Sequence, residues 1–180
     1  TFPPRDISIM INTFSNMEET RENALQLYRS SWKFANERPG IEAHADAIAS
    51  FFSTFVFTFA AGENRDGKLV LTRDQINNIE ILEGDEIFGK IIAMAIFNVM
   101  DLNGDGTVTL EEALVGGLIL FDAIIEQPEG YEAKLARLQD VSFRIIDAKS
   151  TNSIDFSDWR YWCARMYEVN ERPSNDFHFN

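Results

Sequence analysis

Positive charge, cysteine and histidine are all scarce in this chain of 180 residues. Sixteen Lys and Arg face 29 Asp and Glu, for a formal net charge of −13. Such a surface repels nucleic-acid phosphates and offers no basic patch to anionic lipid. Cys163 is the single cysteine, so no intrachain disulfide forms, and no N-x-S/T acceptor occurs. Both absences fit a reducing, cytoplasmic setting. No signal-like apolar stretch follows Thr1. The longest apolar run, Ile91 to Phe97, falls far short of the roughly 18 residues a bilayer span needs. The two histidines, His44 and His178, lie far apart, and there is no Gly-rich phosphate loop and no His/Cys cluster. No enzyme is expected. Cys163, on a helix face with Trp159 and Trp162, reads as a buried small hydrophobe and not as a nucleophile.

What is abundant is apolar surface at helical spacing. Hydrophobic residues make up 45% of the chain and include fifteen Phe, enough for a sizeable core. Steps of three and four predict helices over 21–34, 41–60, 85–100, 110–125, 131–146 and 156–169. The segment 41–60 carries the aromatic cluster Phe51, Phe52, Phe55, Phe57 and Phe59. Glu37-Arg38-Pro39-Gly40 and Gln127-Pro128-Glu129-Gly130 break the pattern, while Gly116-Gly117 marks a weak point or a close helix contact. Only 68–71, 107–110 and 153–156 look extended. The fold class is therefore all-α with short paired strands.

One stretch concentrates oxygen donors. Residues 101–112 read DLNGDGTVTLEE and fit D-x-[DN]-x-[DN]-G-x5-E at every defined position. Asp101, Asn103 and Asp105 alternate so that their side chains point inward as the chain curls, and Gly106 takes the sharp turn. Thr107 offers its main-chain carbonyl, Thr109 ligates directly or through water, and Glu112 closes the ring with two oxygens. That is the hard, six- to eight-oxygen shell Ca²⁺ wants, at about 2.3–2.6 Å. Val108 faces the core and can pair with a neighbouring loop.

Three further segments imitate this one with losses. In DAKSTNSIDFSD, Asp147 to Asp158, the framework positions Asp147, Ile154, Asp155 and Asp158 remain. Lys149 and Thr151 replace inner ligands, and Asn152 replaces the turn glycine. An ammonium about 4 Å from a cation costs roughly 4 kcal/mol per unit of metal charge at an effective dielectric near 20. This loop is expected to serve mainly as the strand partner of Val108, through Ile154. In GENRDGKLVLTR, Gly62 to Arg73, Arg73 stands where the closing carboxylate belongs, and its guanidinium is expected to act as an internal counter-ion. Residues 10–21 retain almost no ligand set.

Loops starting near 62, 101 and 147, together with the tail SIDFSDWRYWCARMYEVNERPSND, resemble the invertebrate sarcoplasmic calcium-binding proteins and calexcitins of the EF-hand superfamily over roughly residues 45–175. The resemblance implies two helix-loop-helix pairs packed into one body: 1–84 with degenerate loops, and 85–180 with loops 101–112 and 147–158. It also implies cytosolic calcium buffering or signalling with Ca²⁺ as ligand. Members of the family keep two or three working loops, whereas one is clear here. A second expectation is a carrier resembling luciferin-binding EF-hand proteins, with an apolar small molecule held by Phe51–Phe59, Trp32, Trp159 and Trp162. A third is a sensor gripping a protein target, although Met10, Met17, Met94, Met100 and Met166 form no groove.

Overall fold

The computed structural model describes residues 17–51, 63–66, 68–77, 86–126 and 128–169. Helix α1 spans Met17–Ser31, with Glu18 and Glu19 in its first turn and Arg29 in its last, each complementing the helix dipole. Two 3₁₀ turns follow, Ala35–Glu37 and Pro39–His44, the second opened by Pro39, whose missing N–H is not needed there. Helix α2 is Ala45–Phe51. The single helix expected from residue 41 is thus a 3₁₀ turn leading into α2. Ile41, Ala45 and Ala49 are buried at steps of four, so the apolar periodicity held while the helix type changed. Phe51 is 53% exposed. Phe52, Phe55, Phe57 and Phe59 lie outside the described residues, as does most of the 10–21 segment.

Strands β1 (Glu63–Arg65) and β2 (Lys68–Thr72) form an antiparallel hairpin, and β3 (Thr107–Thr109) adds to β2 to complete a three-stranded sheet in the order β1-β2-β3. Arg65 pairs with Lys68, so the connection is the two-residue sequence Asp-Gly, and Asp66 has the positive φ of 53° that such a tight hairpin turn demands. The remaining helices are α3 (Arg73–Asn77), α4 (Glu86–Met100), α5 (Leu110–Leu120), α6 (Tyr131–Ile146) and α7 (Phe156–Val169). The chain is mostly helical with a small sheet.

The strand pairing corrects one expectation. Val108 pairs with Leu71, not with Ile154. Leu71 and Val108 are both sealed in the core beside Phe97 and Met100, whereas Ile154 is 37% exposed and residues 153–155 form no strand. Two fully buried β-branched and aliphatic side chains gain more from facing each other than either gains from a half-exposed isoleucine. The pairing also crosses the expected division at residues 84 and 85.

Helix α5 forms the axis of the fold. From Leu110 to Ile119 every residue but Glu111 is buried, so the helix has no polar face to turn outward. Helices α1, α2 and α4 pack around it. Gly116 allows α4 to approach: a Cβ there would lie 2.5 Å from Met100 Cγ. One apolar cluster joins Leu25, Trp32, Leu114, Leu118 and Val141, and a second joins Leu71, Phe97, Val108 and Ala113.

Beyond Leu120 the helix widens into a π turn over Phe121–Ile125, closed by a 2.8 Å bond from Glu126 N–H to Phe121 O. This brings Asp122 inward, fully buried. Its Oδ2 accepts from Trp32 Nε1 at 2.8 Å and Arg137 Nε at 3.1 Å, and its Oδ1 accepts from Arg38 Nη1 at 2.9 Å. Arg137 is 1% exposed; it also reaches Glu37 at 2.9 Å and lies over the Phe34 ring. Burial, then the charge of Asp122, drives the Tyr28 phenol pKa well above its ordinary range. Nothing in the sequence pattern had singled this network out. Asp122→Ala leaves Arg137 buried beside an unfilled carboxylate position and should cost about 3–5 kcal/mol. Thermal denaturation should then show Tm lower by roughly 10 °C or more.

Helix α7 differs from expectation in its exposure. Cys163 is exposed and Trp159 is half exposed, while Asp158 in the first turn is buried. The helix packs against α4 and α6, and Trp159 and Cys163 nonetheless remain exposed.

Candidate metal centre

The 101–112 loop begins where α4 ends, with Asp101 N–H bonded to Phe97 O at 2.9 Å. Asp101, 1% exposed, organises the first half: Oδ1 accepts from Asp105 N–H at 3.2 Å and Oδ2 from Gly106 N–H at 3.0 Å. Asn103 Oδ1 accepts from Asp105 N–H at 3.0 Å, and its Nδ2 donates to Asp105 Oδ2 at 3.2 Å. Asp105 Oδ1 accepts from both the N–H and the hydroxyl of Thr107, at 2.8 and 2.7 Å. Gly104 and Gly106 have φ of 70° and 83°, which side chains resist. Asp101, Asn103, Asp105 and Thr107 are therefore brought together by direct bonds.

Thr109 and Glu112 form a separate unit. Thr109 is the N-cap of α5, and its hydroxyl oxygen accepts from Glu112 N–H at 3.2 Å. Glu112 Oε2 in return accepts from Thr109 N–H at 2.9 Å and from the Thr109 hydroxyl at 3.1 Å. Among the described residues no donor reaches Glu112 Oε1. Nor do any three His, Cys, Asp or Glu side chains converge there as a metal-holding group. The loop's own N–H donors hold its carboxylates, with Glu112 on the helix cap.

The electrostatics favour a cation nonetheless. Burial raises the pKa of Asp101, and the charge of Asp105 adds to it. Burial likewise raises that of Glu112, with Asp101 and Asp105 adding repulsion. Asp105 is held below its ordinary value, chiefly by the Thr107 hydroxyl. Three carboxylates thus sense one another across a short arc. The donors are all oxygen, which suits Ca²⁺ or Mg²⁺ and not a thiophilic metal. The residues fit such an ion.

Loop 147–158 repeats the framework. Asp147 Oδ1 accepts from Thr151 N–H at 3.0 Å and Oδ2 from Asn152 N–H at 2.8 Å, the same offsets as at Asp101. Asn152 takes the turn with φ of 59°. Asp155 and Asp158 exchange a reciprocal cap: Asp155 N–H to Asp158 Oδ2 at 3.0 Å, and Asp158 N–H to Asp155 Oδ1 at 2.9 Å. The Ser157 hydroxyl, then the Asp158 amide, hold the Asp155 carboxyl down at about 2. Lys149 places Nζ 3.2 Å from Asp158 Oδ1 and 3.1 Å from Ser157 Oγ.

In the 62–73 segment, Glu63–Arg65 and Lys68–Thr72 are instead the paired strands of a hairpin. Its cap pairs Thr72 with Gln75, Thr72 N–H to Oε1 at 2.9 Å and Gln75 N–H to Oγ1 at 3.3 Å. The helix-entry position is therefore Gln75, two residues beyond the expected Arg73. Thr72-x-x-Gln75 is a capping-box pattern already present in the sequence. Arg73 is not a counter-ion inside its own loop: it donates to Asn98 Oδ1 at 2.6 Å and lies over the Phe97 ring at 4.4 Å. Asn98 also donates to Ile145 O at 2.7 Å, which links α3, α4 and α6.

Residues 93–112 match the family model described as EF hand. The match covers the second half of α4 and the whole loop through Glu112. No curated protein and no solved structure matches the chain.

A cavity of about 440 Å³ lies behind both loops, lined by Leu27, Ser30, Asn98, Asp101, Arg144 and Asp147 among others. Its wall is more polar than apolar. Most of the aromatic cluster expected to hold an apolar ligand, Phe52, Phe55, Phe57 and Phe59, lies outside the described residues. Trp32 is sealed in the core and bonded to Asp122. His44 stacks on Phe121 and pairs with Glu126 at 3.1 Å, a structural position.

Gly104 is set against the second loop, where an added Cβ would collide with the Lys149 carbonyl. Gly104→Ala combines that collision with a positive φ and should cost about 1–3 kcal/mol. Denaturant unfolding checks this, with Gly40→Ala as a control, because no atom lies within 4 Å of a Cβ at position 40.

Proposed function

We propose that the chain binds one Ca²⁺ at loop 101–112 and serves as a cytosolic calcium buffer or a modulator of calcium signalling, with no catalysis of its own. Asp101, Asn103 and Asp105 would hold the ion through side-chain oxygens, Thr107 through its carbonyl, Thr109 directly or through water, and Glu112 through its carboxylate. The bound ion supplies the positive charge that the three mutually repelling carboxylates lack. The EF hand match over 93–112, falling on this all-oxygen arc, carries the reading. The likeness to sarcoplasmic calcium-binding proteins and calexcitins supports the buffering role. It rests on the spacing of the loops and on the aromatic C-terminal helix. Cytosolic placement is supported by the single cysteine. Among the described residues no helix is long and apolar enough to cross a membrane.

The alternative of an apolar ligand rests on Phe51–Phe59, of which the described residues include only Phe51, and that side chain is exposed. The sensor alternative finds no support in Met17, Met94 and Met100: the last two are buried in the core, and Met17 packs against it.

Isothermal titration with Ca²⁺, with and without competing Mg²⁺, should return one site. Glu112→Gln should weaken affinity by at least about tenfold, or about 1.4 kcal/mol. A wild-type protein without a calcium site, or a Gln variant with unchanged affinity, overturns the assignment.

A further inference from the structure

Loops 101–112 and 147–158 touch without sharing a strand. The Ser150 hydroxyl donates to the main-chain carbonyl of Asp101 at 2.8 Å, at the residue that organises the first half of the calcium loop. Ser150 is held at φ 53°, a conformation a serine adopts only when its surroundings impose it. One residue earlier, the Lys149 carbonyl abuts Gly104 so closely that no side chain fits there. The side chain of the same Lys149 reaches the other way, to Asp158 and Ser157. Asp158 is 4% exposed and sits at the closing position, the counterpart of Glu112. Its Oδ2 is engaged by the Asp155 amide and its Oδ1 by the ammonium. At Glu112 the corresponding second oxygen has no donor among the described residues.

We infer that loop 147–158 is closed by its own lysine and acts as a metal-free prop for the calcium loop, with Lys149 and Ser150 as positioning residues that touch no ion. The inference rests on the calcium reading of 101–112. Lys149 neutralises the closing carboxylate that a divalent ion neutralises in a working loop, so the second loop keeps its curl at any calcium concentration. That curl presents Ser150 Oγ to Asp101 and the Lys149 backbone to Gly104. The calcium loop is thereby shaped before the ion arrives, and less ordering remains to be done on binding.

The test compares full-length wild type with Lys149→Met, Lys149→Arg and Ser150→Ala. Calcium dissociation is measured by stopped flow with a chelator, and amide hydrogen exchange is measured without calcium. Ser150→Ala keeps the Cβ and its backbone strain, so it isolates the hydroxyl. Lys149→Met and Ser150→Ala should each speed calcium release about three- to tenfold, the scale of one net hydrogen bond. Lys149→Arg should stay within about twofold of wild type. In the calcium-free protein, Lys149→Met should also lower protection of the Thr151, Asn152 and Gly106 amides. Unchanged release rates and unchanged Gly106 protection in both loss variants overturn the prop. So does a wild-type 147–158 loop whose amide shifts move with a second equivalent of Ca²⁺. A failure of the calcium reading itself appears differently: wild type shows no calcium-dependent shift at Gly106, and the exchange measurement still decides the prop.

Discussion

The fold depends on a helix that has no outside. From Ala113 to Ile119 every residue is buried and none is charged, so α5 can exist only with neighbours all around it, and α1, α2 and α4 take those places. Carboxylates are confined to the two ends of this buried rod, and they are handled in opposite ways. At the far end Asp122 is neutralised permanently by Arg38 and Arg137, with Trp32 as a third donor. At the near end Glu112 is held, among the described residues, by Thr109 alone, and it faces the charges of Asp101 and Asp105. The first arrangement suits a structural joint and the second a site that exchanges a charge with solvent.

The three loop-like segments differ chiefly in the charge at the helix-entry position. Gln75 is neutral, Asp158 is paired with Lys149, and Glu112 has no cation beside it among the described residues. All three use the same reciprocal bond between a capping residue and the residue three positions on, because each must satisfy the first N–H groups of a following helix. The cap is therefore a requirement of the helix, and the ion-binding character comes from what the capping side chain has left over. Among the described residues, a capping carboxylate with no cation beside it occurs in these segments only at 101–112.

Most of this was legible in the residues. Helical periodicity located α4, α6 and α7 to within a residue or two, and the spacing of Asp101, Asn103, Asp105, Gly106 and Glu112 marked the loop. What escaped depended on contacts between segments far apart in the chain. Apart from the Arg137–Asp122 pair, the Asp122 network joins residues 84 to 100 positions apart, and no local pattern announces a partner at that distance. The partner of Val108 was misjudged because equivalence of loops was taken as the rule for pairing. Burial decided instead, and Leu71 is the residue with a core to share. Exposure of Cys163 escaped for a related reason: periodicity shows that a face is apolar but not that anything lies against it.

Bracketing by two loops of unlike construction bears on how the site responds to an ion. On one side Val108 is fixed by pairing with Leu71 in the sheet; on the other, Asp101 is fixed by Ser150. A ligand moves a conformational equilibrium only as far as its affinities for the two states differ. A loop held at both flanks by packing and hydrogen bonds has few alternative states to choose between. The helices leaving it are further tied, α4 through Asn98 to α3 and α6, and α5 through Asp122 to α6 and the 3₁₀ turns. On the calcium reading, occupancy then changes local charge much more than shape. Such a response would accompany the buffering role proposed above, and it differs from the opening of an apolar groove by which sensors take hold of their targets.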